Sequence, residues 1–539
     1  MKFVAISCKA GDIMSLKELT ALVKTERISR REFVQLSIAA GVSAAAGLSS
    51  FAKILRAAPK RGGYFRAAIG HGSTTDTLDP ATWNNSFDGD LGQGIYGNTL
   101  LAINLKNDAV ADLVESYEGT SGLKVWVFRL RKGITFHNGK SLTAEDVVAS
   151  FNHHRGSNSK SVVKSLLTNI DSITADGKYS VVFTLKNGYA DFPFTVTDYH
   201  LPILPSKDGV ADWQNGIGTG PFMLEAFESG VRIKAKRNPN YHADVFFDEV
   251  EALSIVDVTA RTNALLAGEV DYIDRCDLKT VALLEKVPEV EVDSTTGFAH
   301  YVAPMNVTQA PFDNVDVRTA LKWAIDRQEI VDKVLLGHGR PGNDDPIAPT
   351  LKFATNPQPV FSYDPDKARY HLKRAGFSTL KIDLSTAEAA FSGAIDTAVL
   401  MKAQAKSAGI EINVIREADD SYGDSVWMKK PWCMSYWFGR PAVDLTMSLS
   451  YAADAAWNDT FWKNPRFNEL LIQARAETDE ATRASMYSEM QQILHDDGGV
   501  IVLMFNDYVT AHSARVAHGS LNCNYDHDGG KMYSRWWLA

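Results

Sequence analysis

Hydrophobic and polar positions alternate with two different periods along this chain, and the mixture persists from about residue 60 to the end. Val125 to Arg131 reads VWVFRLR, with Trp126, Phe128 and Leu130 on one face. Tyr179 to Lys186 does the same with Val181, Phe183 and Leu185. A period of two predicts half-buried strands. Between them, Thr143 and Asp146 have the spacing of a capping box, and Val147, Val148 and Phe151 supply the buried stripe of a short helix. Ala320, Leu321, Ala324, Ile325, Val331, Val334 and Leu335 recur at helical spacing, which predicts one long helix from Asp316 to Leu336 closed by Gly337. Asp364-Pro365 and Asn464-Pro465 each place proline at a first helical position, the former helix stopping at Gly376. A last helix carries Met486, Tyr487, Met490, Ile493 and Leu494 and ends near Gly498-Gly499. Strands interleaved with helices make this an α/β protein.

At 539 residues the chain is too long for one core, so at least two domains are expected. No internal repeat or low-complexity linker follows residue 60, which predicts domains joined by several chain crossings. The net charge of −9 argues against a nucleic-acid partner. The four cysteines, Cys8, Cys276, Cys433 and Cys523, form no C-x-x-C pair, so no zinc or redox motif is visible.

The N-terminus reads as an address. Arg30 and Arg31 precede a short apolar run from Val34 to about Phe51, broken by Gly41 and Gly47, with a small-x-small cleavage pattern at Ser50-Phe51-Ala52. This resembles a twin-arginine export signal, with residues 1–58 as signal and leader and Met14 as a candidate start. The mature protein is then expected in the periplasm.

Several motifs are decoys. Gly92-x-Gly94-x-x-Gly97 and Gly337-x-Gly339-x-x-Gly342 match a dinucleotide-binding pattern, but neither follows a buried strand. His153-His154 lacks metal-ligand spacing, and there is no G-x-S-x-G elbow. No catalytic residue, metal site or cofactor is expected.

The stretch from Phe128 to Val147 has the form F-x-L-R-x-G-x-x-F-x-x-G-x-x-x-x-A-x-D-V. Thr77-Leu78-Asp79-Pro80, Gly218-Thr219-Gly220-Pro221-Phe222, Arg237-Asn238-Pro239-Asn240-Tyr241, Ala324-Ile325-Asp326-Arg327 and Tyr363-Asp364-Pro365 follow in family order. In these segments the chain resembles the extracellular solute-binding proteins of family 5, the dipeptide, oligopeptide and nickel receptors of ABC importers. The resemblance implies a periplasmic binding protein fold of type II (cluster C), a venus-flytrap of two lobes with an extra inserted domain. Domain I would comprise 59–103, 208–296 and 500–539, domain II the insertion 104–207, and domain III 297–499. A small solute would be captured between domains I and III and delivered to an inner-membrane ABC permease by a monomeric receptor. The alternatives are an exported receptor that signals without transport, or a secreted hydrolase.

The motif residues themselves are structural in expectation: Arg318, Asp326 and Arg327 as ion pairs or caps. Ligand contacts are sought elsewhere. In peptide-binding relatives a W-x-G loop followed by an acidic residue supplies a carboxylate to the ligand's α-amine. Here the loop is Trp437-Phe438-Gly439 and the matching position is Arg440, with Asp444 four residues later. A guanidinium there suits a carboxylate, phosphate or sulfate, so the ligand is expected to be a peptide, an opine-like molecule or another anionic solute. Trp437, Phe438, Trp457, Asn458, Trp83 and Tyr301 complete the expected contacts.

Overall fold

The computed structural model describes residues 59–418, 422–455 and 457–539. The paired arginines, the apolar run after them and Cys8 lie outside the described residues. Among the described residues no helix is long and apolar enough to cross a membrane. Cys276, Cys433 and Cys523 are free thiols, the first two buried.

A nine-stranded mixed sheet runs through the molecule in the order Phe222–Glu228, Arg232–Arg237, Glu249–Ser254, Tyr64–Ile69, Tyr272–Ile273, Val500–Ser513, Val290–Pro304 and Ser435–Trp437, with Gly339–Pro341 alongside Val500–Ser513. Tyr64–Ile69 lies parallel to Glu249–Ser254 and Tyr272–Ile273, which helix Val258–Leu266 connects. The other pairs are antiparallel. Val290–Pro304 and Val500–Ser513 are 15 and 14 residues long and pair from Val290↔Ser513 to Pro304↔Val500. Their register slips between Thr296 and His300. There, Asn506, Asp507 and Tyr508 are half-exposed while the strand's start, Val500–Phe505, is buried.

The strands read from the sequence form as expected. Val125–Leu130 and Ser180–Leu185 pair inside a four-stranded antiparallel sheet with Val114–Thr120 and Ile170–Ala175. The Asp146 carboxylate reaches back to the Thr143 N–H at 2.9 Å and starts helix Ala144–His153. That helix and sheet enclose one core around Phe128, Phe151, Phe183 and Phe192. A second gathers Phe65, Trp83, Phe222, Phe247, Tyr533 and Trp536 against the main sheet. Beyond the register slip, two more surround the far ends of the long strands, one holding Trp323, Ile382, Met401 and Trp432, the other Tyr451, Trp462, Tyr487 and Leu494.

The predicted helix from Asp316 to Leu336 is two helices, Val315–Trp323 and Arg327–Val334. Asp326 caps the second, its carboxylate accepting the Glu329 N–H at 3.0 Å. The break turns Arg327 inward. Its guanidinium donates to Asp344 Oδ1 and Oδ2 at 2.8 Å each and to the carbonyls of Lys322, Phe361 and Val502. Both side chains of the pair are essentially inaccessible, and Asp344 also accepts the Val502 N–H. Arg318 likewise ties Phe312 O to Asp497. Both arginines are therefore structural.

An Arg327→Met substitution is expected to lower stability by about 3–5 kcal/mol, because it strands the Asp344 carboxylate in the interior. Urea unfolding checks this; a midpoint unchanged from the parent would contradict it.

The interlobe cavity and its relatives

A cavity opens between the two halves. Gln93, Thr197, Asp198 and Tyr199 line one side, Gly439, Arg440, Pro441, Leu445 and Leu449 the other, and Asn524 and Tyr525 close the base. Arg440 makes no hydrogen bond or ion pair among the described residues, and it faces Asp198 across the cavity. Burial would raise the Asp198 carboxyl, but His200, bonded to it at 2.6 Å, and the Arg440 charge hold it down at about 2. The cavity thus presents a carboxylate held by His200 and, facing it, a partly exposed guanidinium with no hydrogen-bonded partner among the described residues.

The loop that carries Arg440 is set by sterics. Strand Ser435–Trp437 pairs with His300–Val302 of the long strand, and Gly439 then lies directly on Phe298. A Cβ at Gly439 would sit 1.9 Å from Phe298 Cβ. Only glycine lets the loop pass and aim Arg440 at the opposite wall.

The structure distributes the other expected contacts unevenly. Phe438 lies 6.4 Å from the Tyr525 ring and 6.0 Å from the Arg275 guanidinium. Trp437 packs at 6.1 Å from Trp427 and 6.3 Å from Trp457, and Tyr301 pairs with Tyr436 across the sheet while stacking flat on Phe391 at 4.1 Å. Phe438, Trp437 and Tyr301 are partly exposed and Trp457 is exposed, all near the loop without lining the cavity. The remaining three hold positions inside the fold. Asp444 is inaccessible and ion-paired to Arg475 at 3.0 Å. Asn458 donates to the carbonyls of Ala452 and Trp462. Trp83 is fully buried and donates its indole N–H to Thr77 O. Their polar groups are already satisfied by the protein.

Sequence reading missed the base of the cavity. His527, Asp528, Gly529 and Gly530 are four consecutive left-handed residues, with φ of 56°, 59°, 68° and 72°. That conformation costs about 1–2 kcal/mol for each non-glycine residue. Buried bonds hold it: His527 Nδ1 lies 2.7 Å from Asp90, its Nε2 3.4 Å from Asp274, and Asp528 accepts the Asn522 N–H and the Trp536 indole N–H. The turn brings Asp526 to Arg275 at 2.7 Å and Tyr525 beneath the cavity, 5.3 Å from Tyr199. The one sequence signal was the dense run from Tyr525 to Gly530.

With this geometry, comparison with known proteins is informative. Residues 108–459 match the model for bacterial extracellular solute-binding proteins, family 5 (middle region). The chain belongs to this family. The glutathione-binding protein GsiB of Shigella dysenteriae serotype 1 is 26% identical over 466 residues, 83% of this chain and 90% of that one. Among solved structures, the periplasmic binding protein DppA from Helicobacter pylori, in complex with the peptide STSA, superposes with a TM-score of 0.76 at 23% identity, over 89% of this chain and 98% of that one. AgaA of A. tumefaciens in complex with agropinic acid gives 0.75 at 22% identity, over 88% and 99%. These likenesses show the fold, that of a type II periplasmic binding protein. This family member is therefore a solute-binding protein with its two lobes joined through the long strands.

Burial alone would lower the His527 imidazole, but Asp90 and Asp274 push it up to about 10. A free histidine titrates near 6.5. The folded state thus binds the proton more tightly, and this stabilisation is complete below about pH 6.5 and lost as pH rises towards 10. The stability difference between the parent and His527→Gln, measured by urea unfolding, should shrink from pH 6 to pH 10. A constant difference would contradict the charged His527 bridge.

Proposed function

We propose that this protein captures a small peptide or peptide-like anionic solute in the interlobe cavity and delivers it to an ABC permease in the inner membrane. The observation that carries the proposal is the Arg440 guanidinium, without an ion-paired or hydrogen-bonded partner among the described residues, facing Asp198 inside the cavity. A guanidinium offers a planar fork of donors to a carboxylate, and Asp198 opposite offers a negative partner for an ammonium group. A zwitterion or a solute with two acid groups and one amine meets both. Relatives named for glutathione, a peptide and agropinic acid support this chemistry.

The mechanism is reversible capture without covalent chemistry. Domain I (59–103, 208–296, 500–539), with the inserted domain II (104–207), would move against domain III (297–499) about the register slip in the long strands. The core around Phe65 is separate from those around Trp432 and Tyr487, which supports dividing domain I from domain III, while the core of 104–207 also takes in Ala442 and Leu445. Closure places Phe438 and Tyr525 on the solute and removes water, which strengthens the Arg440 contact. Bound solute shifts the population towards the closed form that a permease recognises. Of the contacts expected from sequence, Arg440, Phe438, Trp437, Trp457 and Tyr301 remain the proposed ligand contacts, joined by Tyr525 and Asp198. Export by the twin-arginine route and a monomeric state complete the proposal.

The test is isothermal titration of glutathione, di- and tripeptides and opine-type acids into the parent and Arg440→Ala. The variant should bind the preferred solute at least tenfold more weakly, a loss of about 1.4 kcal/mol or more. Unchanged affinity would remove Arg440 from the site and the anionic-group reading with it.

A further inference from the structure

Away from the cavity, Asp293 of strand Val290–Pro304, His512 of strand Val500–Ser513 and His518 just beyond it converge. All three ligand-capable atoms lie within 4.8 Å of one another, and none of these residues lines the interlobe cavity. Asp293 Oδ2 is 3.3 Å from His512 Nε2 and 3.0 Å from His518 Nε2. Sequence reading found no histidine cluster because His512 and Asp293 are far apart in the chain and meet only through the pairing of the long strands.

The hydrogen bonds around the cluster fix its chemistry. His512 Nδ1 lies 3.0 Å from Ser513 O, and His518 Nδ1 lies 2.7 Å from Gly519 O. A carbonyl only accepts, so each Nδ1 carries the proton and donates it. In the neutral ring Nε2 is then a lone pair, the tautomer that metal-ligating histidines adopt through such bonds to carbonyls. His512 is 1% exposed, yet its Nε2 has no hydrogen-bond partner. His518 Nε2, bonded to Asp293 Oδ2 at 3.0 Å, carries a second proton in this arrangement; a cation that displaces it meets two nitrogen lone pairs and a carboxylate oxygen aimed at one small volume. Donors about 3.0–3.4 Å apart are what a cation with ligand bonds of about 2.1 Å holds around itself. The rings are pinned for it: His518 stacks on Trp536 at 4.6 Å, and His512 meets the same indole at 5.4 Å. Asp293 and His518 keep 22% and 16% of their side chains exposed, which leaves entry and room for water to complete the shell.

We propose that Asp293, His512 and His518 form a binding site for a late first-row divalent cation of the zinc type. Two imidazoles and one carboxylate suit such an ion, whereas calcium and magnesium take oxygen ligands. The bound ion would clip the 514–539 segment to the long strand Val290–Pro304. Trp536, packed on both ligand rings, donates to Asp528 of the left-handed turn, so the clip adjoins the base of the solute cavity.

The test uses the purified protein, stripped of metal with a chelator and then freed of it. Calorimetric titration with zinc chloride should show one equivalent bound, and cobalt chloride should give visible absorption bands at the same stoichiometry. Asp293→Asn, nearly isosteric, and His518→Ala should each weaken zinc binding at least tenfold. Far-UV circular dichroism checks their folding, and Asp293→Asn decides alone if His518→Ala does not fold. Arg440→Ala should bind zinc like the parent, which separates this site from the solute cavity. No uptake, equal uptake by the parent and Asp293→Asn, or loss of uptake in Arg440→Ala would overturn the proposal.

Discussion

The antiparallel pairing of Val290–Pro304 with Val500–Ser513 is the constraint on which the rest of the structure depends. At one end the pair is covered by the sheet and cores built on Tyr64–Ile69, and at the other by the cores around Trp432 and Tyr487. Where their register slips, the strands lose burial and the two halves face each other across the cavity. The same strands locate the functional chemistry. Gly439 packs on Phe298 at the slip and aims Arg440, while Asp293 and His512 sit near the opposite end of the pair.

Two local conflicts with ordinary propensity surround the cavity. The left-handed run from His527 to Gly530 is held by buried charge pairs, and the Trp437–Gly439 loop passes Phe298 with no room for a side chain. Strain retained by such surrounding bonds in the His527–Gly530 run marks a place where side chains must be aimed, here Tyr525 and Asp526, while the close approach of Gly439 to Phe298 aims Arg440. By contrast the charged motif residues Arg318 and Arg327 are spent on carbonyls and carboxylates inside the second half. They identify the family because they hold its fold, and they carry no information about the solute.

Much of this was legible in the sequence where the determinants are local. Alternation placed Val125–Leu130 and Ser180–Leu185, and proline and capping residues placed the starts of Ala144–His153, Pro365–Arg374 and Pro465–Ala476. The predicted helix from Asp316 to Leu336 failed because its apolar spacing continues across a break that Arg327 requires in order to reach Asp344 and Val502. At the site, Arg440 was legible as a departure from the family's acidic position. Asp444 looked like a second ligand group, but its partner Arg475 lies on the next helix, a pairing no local pattern reveals. Tyr199, Arg275 and Tyr525 escaped notice for the same reason: they meet only after the chain has crossed between the lobes several times.

The central claim is that the solute's acid group is held by Arg440 between the lobes. A crystal structure of the protein with its preferred small peptide or opine-type acid tests it most directly. The account predicts a ligand carboxylate about 2.7–3.0 Å from the Arg440 guanidinium, enclosed by Phe438, Tyr199 and Tyr525. A solute bound elsewhere, with Arg440 turned onto Asp198 instead, would contradict it.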